Sequence, residues 1–77
     1  MNSDKTLIKL RKEKVDKLFR YDHLPQHLQN ISIPFYNLAL DITNKIPNTA
    51  EYTLFLRSLW EAKNLAVYAA VELHDNK

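Results

Sequence analysis

Cysteine and glycine are both absent from this sequence of 77 residues. Without cysteine the chain can form neither a disulfide nor a thiolate metal site. Glycine accepts positive φ at little cost, so its absence disfavours a fold built from tight β-hairpins. The same absence excludes the glycine-rich phosphate loops of P-loop and Rossmann proteins. We therefore expect neither a β-rich fold nor a glycine-lined nucleotide site.

The sequence also lacks a long apolar run. No stretch approaches the roughly 18 apolar residues that a membrane span requires, and the first residues do not form the apolar segment of a secretory signal. Hydrophobic residues make up 45% and charged residues 26% of the chain, which is typical of a globular protein. We expect a cytoplasmic protein that does not enter a membrane.

The small size of the chain predicts an oligomer. A domain of this length buries only about 60–65% of its unfolded surface when it folds alone. Small domains usually gain further stability from disulfides, a metal or additional subunits, and here disulfides are excluded. We therefore expect several copies to associate.

Positive charge is concentrated in the first quarter of the sequence. Residues 1–20 contain seven lysines and arginines against three acidic residues, a net charge of +4, whereas the remainder contains four against six, a net charge of −2. Two interpretations of this asymmetry remain open. A basic segment attracts a polyanionic partner, and equally its charges can form the solvated face of a helix.

The prolines and capping residues divide the chain into three predicted helices within a single domain. The first is a basic N-terminal helix of residues 1–18, which begins near Asp4 with Ser3 or Asn2 as its cap. Its apolar stripe is thin, and an isolated helix of about 15 residues is only marginally stable. This helix therefore has to dock on another element.

The second predicted helix occupies residues 25–46. Pro25 suits its first turn, and the chain before Pro25 is expected to form a non-helical connector. Within the helix, Ser32 can act as a cap and Pro34 can begin a new helical turn, which predicts a kink and a restart at this point. The helix is expected to end before Pro47.

The third predicted helix occupies residues 49–73, with Asn48 or Thr49 as its cap. Its apolar positions recur at spacings of three and four and predict an antiparallel partner, residues 35–46. These positions are Tyr52, Phe55, Leu59, Ala62, Ala66, Ala69 and Leu73. A second apolar stripe beside the first is interpreted as the interface between copies. It consists of Leu56, Trp60, Val67 and Val71.

Tyr21 is the aromatic residue whose position is most suggestive of a ligand. It lies in the predicted connector and follows Arg20, so a ring for stacking on a base lies beside a cation for a phosphate. The alternative is a hydrophobic contact at the entry to a helix. On the third helix, Arg57 similarly either contacts a phosphate or pairs with Glu61, four residues further on.

Evidence for catalysis is weak in this sequence. His23 and His27 have the spacing of metal ligands on a helix, but no HExxH motif accompanies them, so a surface pair is the favoured interpretation. Asp22 and His23 with Ser32 supply the residue types of a catalytic triad without a nucleophile elbow. We expect no enzyme activity, no metal and no cofactor.

Ordered blocks of residues between positions 19 and 72 resemble the small phage-encoded anti-CBASS sponge proteins. The blocks include Phe19-Arg20-Tyr21-Asp22-His23-Leu24-Pro25, Ser32-Ile33-Pro34-Phe35, Leu56-Arg57, Glu61-Ala62-Lys63 and Ala66-Val67. The resemblance does not cover residues 1–18 and implies an all-helical hairpin. Together with the helices predicted above, the expected fold is all-α, an N-terminal helix followed by an antiparallel helical hairpin with a proline-kinked second helix. It also implies a homo-oligomer, a hexamer, in the cytoplasm of an infected bacterial host.

The function that the resemblance implies is the sequestration of cyclic dinucleotide second messengers such as cGAMP, without cleavage, so that a CBASS effector is not activated. Tyr21 is the implied base-stacking residue. Relatives often carry a cation where Ile33, Tyr52 and Tyr68 stand here. Phosphate contacts are therefore expected from Arg20, Arg57 and Lys63, from the basic first helix, and from backbone N–H groups of Ser32 and Ile33 at the predicted restart. Cyclic trinucleotides are a second ligand class of the family, and neither a membrane nor a long nucleic acid is an expected partner.

Two other functions follow from the residues alone. The basic first quarter is compatible with a small nucleic-acid-binding regulator, whose affinity would fall steeply with salt. The stripe that contains Trp60 is compatible with a helical adaptor that binds a partner helix.

Overall fold

The computed structural model describes the backbone of residues 2–75 and the side chains of residues 7–73. It contains helices α1 (Asn2–Leu18), α2 (Gln26–Thr43) and α3 (Ala50–Asp75) and, within the described residues, no strand. The prediction of an all-helical chain with three helices is therefore confirmed. None of the described helices combines the length and the apolar character that a membrane span requires.

Helix α1 agrees with the prediction in its extent. It is rich in Lys, Glu, Leu and Arg, which favour the helical conformation, and Lys17 in its last turn interacts favourably with the helix dipole. Asn2 and Ser3 lie inside the helix, and the prediction that one of their side chains caps it falls outside the described side chains.

Helix α2 is continuous from Gln26 to Thr43, with Pro34 in its interior. The predicted restart at Ser32 is therefore wrong, as is its predicted capping role, because Ser32 is fully buried and its hydroxyl has no hydrogen-bond partner in the described part of the chain. Burial of Leu28 and Ala39 along the same helix outweighs the backbone hydrogen bond that Pro34 cannot make. No helix N-terminus exists at this point to attract an anion.

The segment between α2 and α3 begins earlier than the sequence predicts. Helix α2 ends at Thr43 rather than Ile46, and Asn44 caps it in a helical conformation, its N–H donating to the Leu40 and Asp41 carbonyls. The predicted cap of the third helix is confirmed, because the Thr49 hydroxyl accepts the N–H of Tyr52 at 3.2 Å. The described residues adopt no positive φ, which explains how the chain turns without glycine.

The core is formed by residues from all three helices. Its fully or almost fully buried members are Val15, Phe19, Ala39, Tyr52 and Leu56. Partly buried side chains that pack against it include Phe35, Phe55 and Leu59. Leu56 was predicted to lie at an interface between copies, and that prediction is wrong, because the docked α1 brings Val15 into the same buried cluster.

Helix α2 packs against both α1 and α3. Helix α3 has 26 residues against 18 in α2, so it is longer by about 12 Å at the rise of an α-helix. The molecule measures 54 × 22 × 15 Å, and its radius of gyration of 14.3 Å exceeds the value of about 11.5 Å expected for a compact domain of this length. The fold is therefore elongated.

Candidate functional site

The connector between α1 and α2 holds Tyr21 in a fixed position. Phe19 is fully buried and donates its N–H to the Val15 carbonyl, so the connector leaves α1 from an anchored residue. The N–H of Leu24 donates to the Tyr21 carbonyl at 3.0 Å, and the Gln29 side chain donates to the Leu24 carbonyl at 2.8 Å. These bonds define the path of the backbone around Tyr21.

A surface hollow of about 210 Å³ opens at this connector, and we call it the connector hollow. It is lined by Asp16, Phe19, Arg20, Tyr21, Asp22 and Tyr36. Two of the predicted site residues, Arg20 and Tyr21, therefore lie together, and Tyr21 is only partly buried. The ring of Tyr21 is thus accessible from solvent.

Tyr21 is oriented by a second tyrosine. The ring centroids of Tyr21 and Tyr36 lie 5.6 Å apart with an interplanar angle of 71°, an edge-to-face arrangement. Tyr36 therefore covers part of the Tyr21 side chain within the same protomer. A contact of this kind is what the alternative interpretation predicts, in which Tyr21 packs at the entry to a helix. Partial exposure of the ring still leaves surface for a ligand, so the contact supports the ring without enclosing it.

Tyr36 is in turn held by a carboxylate. Its hydroxyl donates to Asp16 Oδ1 at 2.6 Å, and Lys12 Nζ donates to Asp16 Oδ2 at 3.2 Å. The hydrogen bond with Asp16 raises the pKa of Tyr36 to about 12, and the same bond, with help from Lys12, lowers the pKa of Asp16. Sequence reasoning missed both Asp16 and Tyr36, because no local pattern links residues 20 positions apart.

The charge of the connector hollow favours a base over a phosphate. Arg20 Nε lies 2.9 Å from Asp22 Oδ1, and this bond raises the pKa of Arg20 and lowers the pKa of Asp22. Asp16 and Asp22 are both ionised at neutral pH and face a single arginine. Because the Arg20–Asp22 pair is exposed, it is weak, and a phosphate can replace Asp22 as the acceptor.

The other predicted site residues do not line the connector hollow. Ser32 is buried within α2, and Ile33 is partly buried beside it. Lys63 is partly buried on α3, and burial lowers its pKa. Arg57 lines a different hollow and lies 3.6 Å from Glu61, the alternative partner that the sequence suggested. The predicted site is thus divided among several places on one protomer.

The basic residues of α1 do not all face solvent as a continuous charged surface, because Arg11 contacts other parts of the protomer. Arg11 places its guanidinium 4.3 Å from the centre of the Tyr52 ring and donates to the Ile46 carbonyl at 2.8 Å. The Tyr52 hydroxyl and the Thr43 hydroxyl share a buried hydrogen bond of 2.8 Å. Arg11 therefore fastens α1 to the segment between α2 and α3, a role that composition could not reveal.

Among the residues that the structure describes, no cluster of three or more potential metal ligands occurs. His23 and His27 are both exposed. Comparison of the chain with family models, with curated proteins and with solved structures gives no match. The interpretation of the site therefore depends on the geometry and chemistry of the chain itself.

Proposed function

We propose that this protein binds cyclic dinucleotides and sequesters them without cleavage, like the phage-encoded anti-CBASS sponge proteins that its sequence resembles. The observation that supports the proposal is the placement of Tyr21. Its partly exposed ring stands beside Arg20 in a connector that is fixed by backbone hydrogen bonds and braced by Tyr36. A base stacked on such a ring gains about 1–3 kcal/mol.

The size of the connector hollow favours a site shared by two copies. Its volume of about 210 Å³ lies below the roughly 300–1,000 Å³ of sites that enclose a complete small ligand. A cyclic dinucleotide has two bases and two phosphates related by an approximate two-fold axis. Two copies related by the same symmetry would present two Tyr21 rings and two Arg20 side chains. Each copy also contributes Asp16 and Asp22, so the two phosphates would be bound by the two Arg20 guanidinium groups after these release Asp22.

The outer face of α3 offers a surface for this association. Leu54, Leu65 and Tyr68 are 63%, 70% and 70% exposed and fall within about 60° of each other around the helix. Apolar side chains grouped in this way are typical of a surface that another protein covers. We propose that copies of the helical hairpin associate through this face and that the assembly is a hexamer. This face takes the place of the apolar stripe predicted from the sequence, because Leu56 of that stripe is buried in the core.

Calorimetric titration of the protein with 3′,3′-linked cGAMP tests the proposal. A sponge requires nanomolar affinity, a binding free energy of about −12 kcal/mol. We expect Tyr21→Ala to weaken binding by about 100-fold or more, because both stacks are lost, and Tyr21→Phe to retain most of the affinity. Native mass spectrometry should show the same oligomer for all three proteins, and the ligand should be recovered intact.

Two results would contradict the proposal. One is the absence of heat when cGAMP is added to the unchanged protein at micromolar concentration. The other is equal affinity of the unchanged protein and Tyr21→Ala. Loss of both the oligomer and the ligand in Tyr21→Ala would show that the tyrosine is a structural residue rather than a base-stacking one.

The nucleic-acid-binding alternative receives less support from the geometry. Arg11 and Lys12 have partners within the protomer, so fewer cations of α1 are available to a polyanion than the sequence suggests. That function predicts a linear fall of log affinity with log salt concentration on duplex DNA.

The adaptor alternative is also less well supported. Leu56 belongs to the apolar stripe that was expected to bind a partner helix, but it is buried in the core of its own protomer.

A further inference from the structure

A second hollow, of about 280 Å³, lies between α1 and α3, and we call it the indole hollow. It is lined by Lys14 and Leu18 of α1 and by Thr53, Leu56, Arg57 and Trp60 of α3. It shares no lining residue with the connector hollow. Any ligand of this place therefore makes its own set of contacts.

The inner surface of the indole hollow is apolar and aromatic. Leu56 is almost fully buried beneath it, and Leu18 is partly buried. Trp60 keeps 37% of its surface exposed, although it is the largest apolar side chain in the protein. A flat ligand that covers the exposed indole would gain both apolar burial and stacking.

Two cations accompany the indole. Lys14 is exposed and has no hydrogen-bond or ion-pair partner among residues 7–73. Arg57 Nε stands 3.6 Å from Glu61, too far for a hydrogen bond, and both side chains are largely exposed, so this pair is weak. The hollow itself is lined by no carboxylate. Its charge therefore favours an anion, in contrast to the connector hollow with its two aspartates.

The arrangement of these side chains follows from helix geometry. Thr53, Arg57 and Trp60 stand at spacings of four and three on α3, and Lys14 and Leu18 stand four apart on α1, so each set occupies one face of its helix. The cations are thus presented from two helices around one aromatic wall. This combination can hold a charged group and a ring of the same small molecule.

We propose that the indole hollow binds a planar aromatic anion, a ring system with one phosphate or carboxylate. The ring stacks on Trp60, and the anionic group lies between Lys14 and Arg57. The volume of about 280 Å³ lies just below the roughly 300–1,000 Å³ of sites that enclose a complete small ligand, so a single ring system with one charged substituent would bind with one side exposed to solvent. This site is independent of the binding of cyclic dinucleotides at Tyr21.

Trp60 itself provides the measurement, because it is the only tryptophan in the sequence. Adenosine 5′-monophosphate and benzoate serve as probes with a phosphate and a carboxylate. Neither absorbs appreciably at the red edge of the indole absorption, so selective excitation of tryptophan reports their binding. We expect saturable quenching by at least one of the two. Adenosine, which lacks the charge, and inorganic phosphate, which lacks the ring, should bind at least about 10-fold more weakly.

Variants locate the site. Lys14→Ala and Arg57→Ala should each weaken the affinity for the charged probe by roughly 5- to 10-fold, because each removes a charge-assisted hydrogen bond. Lys9→Ala is the matched control, since Lys9 is an exposed lysine of α1 outside the hollow. Tyr21→Ala should also leave the probe affinity unchanged, which separates this site from the connector hollow.

Several results would overturn the proposal. These are the absence of saturable quenching by both probes, equal binding of adenosine and its monophosphate, and unchanged affinity in Lys14→Ala and Arg57→Ala. Loss of probe binding in Tyr21→Ala would place the ligand in the connector hollow instead. Emission of Trp60 that depends on protein concentration but not on either probe would show that a second copy covers the indole.

Discussion

At the scale of single residues, the hydrogen bond between Tyr36 and Asp16 supports the proposed site. It fixes the ring against which Tyr21 packs, and it connects α1 to α2 through side chains. Lys12 adds a second contact to the same carboxylate. The orientation of Tyr21 therefore depends on a hydrogen bond between two other residues that line the connector hollow.

Removal of the Tyr36 hydroxyl should destabilise the fold. We expect Tyr36→Phe to lower the free energy of unfolding by about 1 kcal/mol, a modest value because Asp16 is partly exposed to solvent. Urea denaturation measures this change. Tyr68→Phe is the control, because Tyr68 is 70% exposed and its hydroxyl has no partner among the described residues. Equal stabilities of the two variants would mean that the Tyr36 hydroxyl contributes nothing.

The same hydrogen bond predicts a dependence on pH. Folding lowers the pKa of Asp16 below its ordinary value of 3.8. The ionised carboxylate therefore stabilises the fold above about pH 4, and this stabilisation is lost as the pH falls. Folding raises the pKa of Tyr36 from 10.0 to about 12. The protonated hydroxyl therefore stabilises the fold below pH 10, and this stabilisation is lost between pH 10 and 12. The difference in stability between the unchanged protein and Tyr36→Phe should be constant between these limits and shrink outside them. A difference that does not vary with pH would contradict this assignment.

Local features of the sequence were predictable, and distant pairs were not. The Thr49 cap and the connector before Pro25 depend on neighbouring residues, and the structure agrees with both. The bond from Arg11 to Ile46 joins residues 35 positions apart, and it forms only because α1 docks beside the α2–α3 segment. Periodicity shows that a face is apolar but not which helix covers it, which is why Leu56 was assigned to the wrong surface.

At the scale of secondary structure, the informative element is α2, which continues through Pro34. A proline inside a helix lacks the N–H that would donate to the carbonyl four residues earlier, here Asn30. From the sequence, the loss of this hydrogen bond was expected to divide residues 25–46 into two helical segments. The buried face of α2 compensates for the cost, so tertiary packing determined the outcome.

Replacement of this proline should stabilise the protein. We expect Pro34→Ala to raise the free energy of unfolding by about 1 kcal/mol, because alanine restores the hydrogen bond to Asn30 and favours the helix. Thermal or urea denaturation measures the effect. Pro47→Ala is the control: Pro47 lies outside the helices, so its loss only increases the freedom of the unfolded chain. Destabilisation by Pro34→Ala would show that the core requires the backbone geometry that proline imposes.

At the scale of the whole molecule, the elongated shape leaves much apolar surface uncovered. The radius of gyration is larger than that of a compact domain, and several large apolar side chains of α1 and α3 are exposed. These include Leu7, Ile8, Leu10, Leu54, Leu65, Tyr68 and Leu73. A second copy that covers part of this surface would supply the burial that one short chain lacks.

A charge on the outer face of α3 should disrupt the proposed assembly. We expect Leu65→Glu to weaken self-association by at least about 10-fold, because a carboxylate would be buried without a partner. Sedimentation velocity measures the oligomer, and circular dichroism verifies that the helices remain. Leu73→Glu is the matched control, since Leu73 is 68% exposed on the same helix but lies about 80° from Leu65, and farther from Leu54 and Tyr68, around its axis.

If Leu65→Glu associates as strongly as Leu73→Glu, the outer face of α3 is not the interface. If Leu65→Glu is monomeric, its affinity for cGAMP should fall as well, because each ligand is proposed to contact two copies. A monomer that binds cGAMP with undiminished affinity would contradict the shared site.

The backbone between α1 and α2 turns without a residue at positive φ. Every one of the common amino acids except proline can adopt such a path without steric strain. Exposed positions such as Asp22 and His23 can therefore change their side chains while the loop keeps its shape. Single substitutions at these positions can therefore change the ligand preference proposed for the connector hollow, with the scaffold that carries Tyr21 left intact.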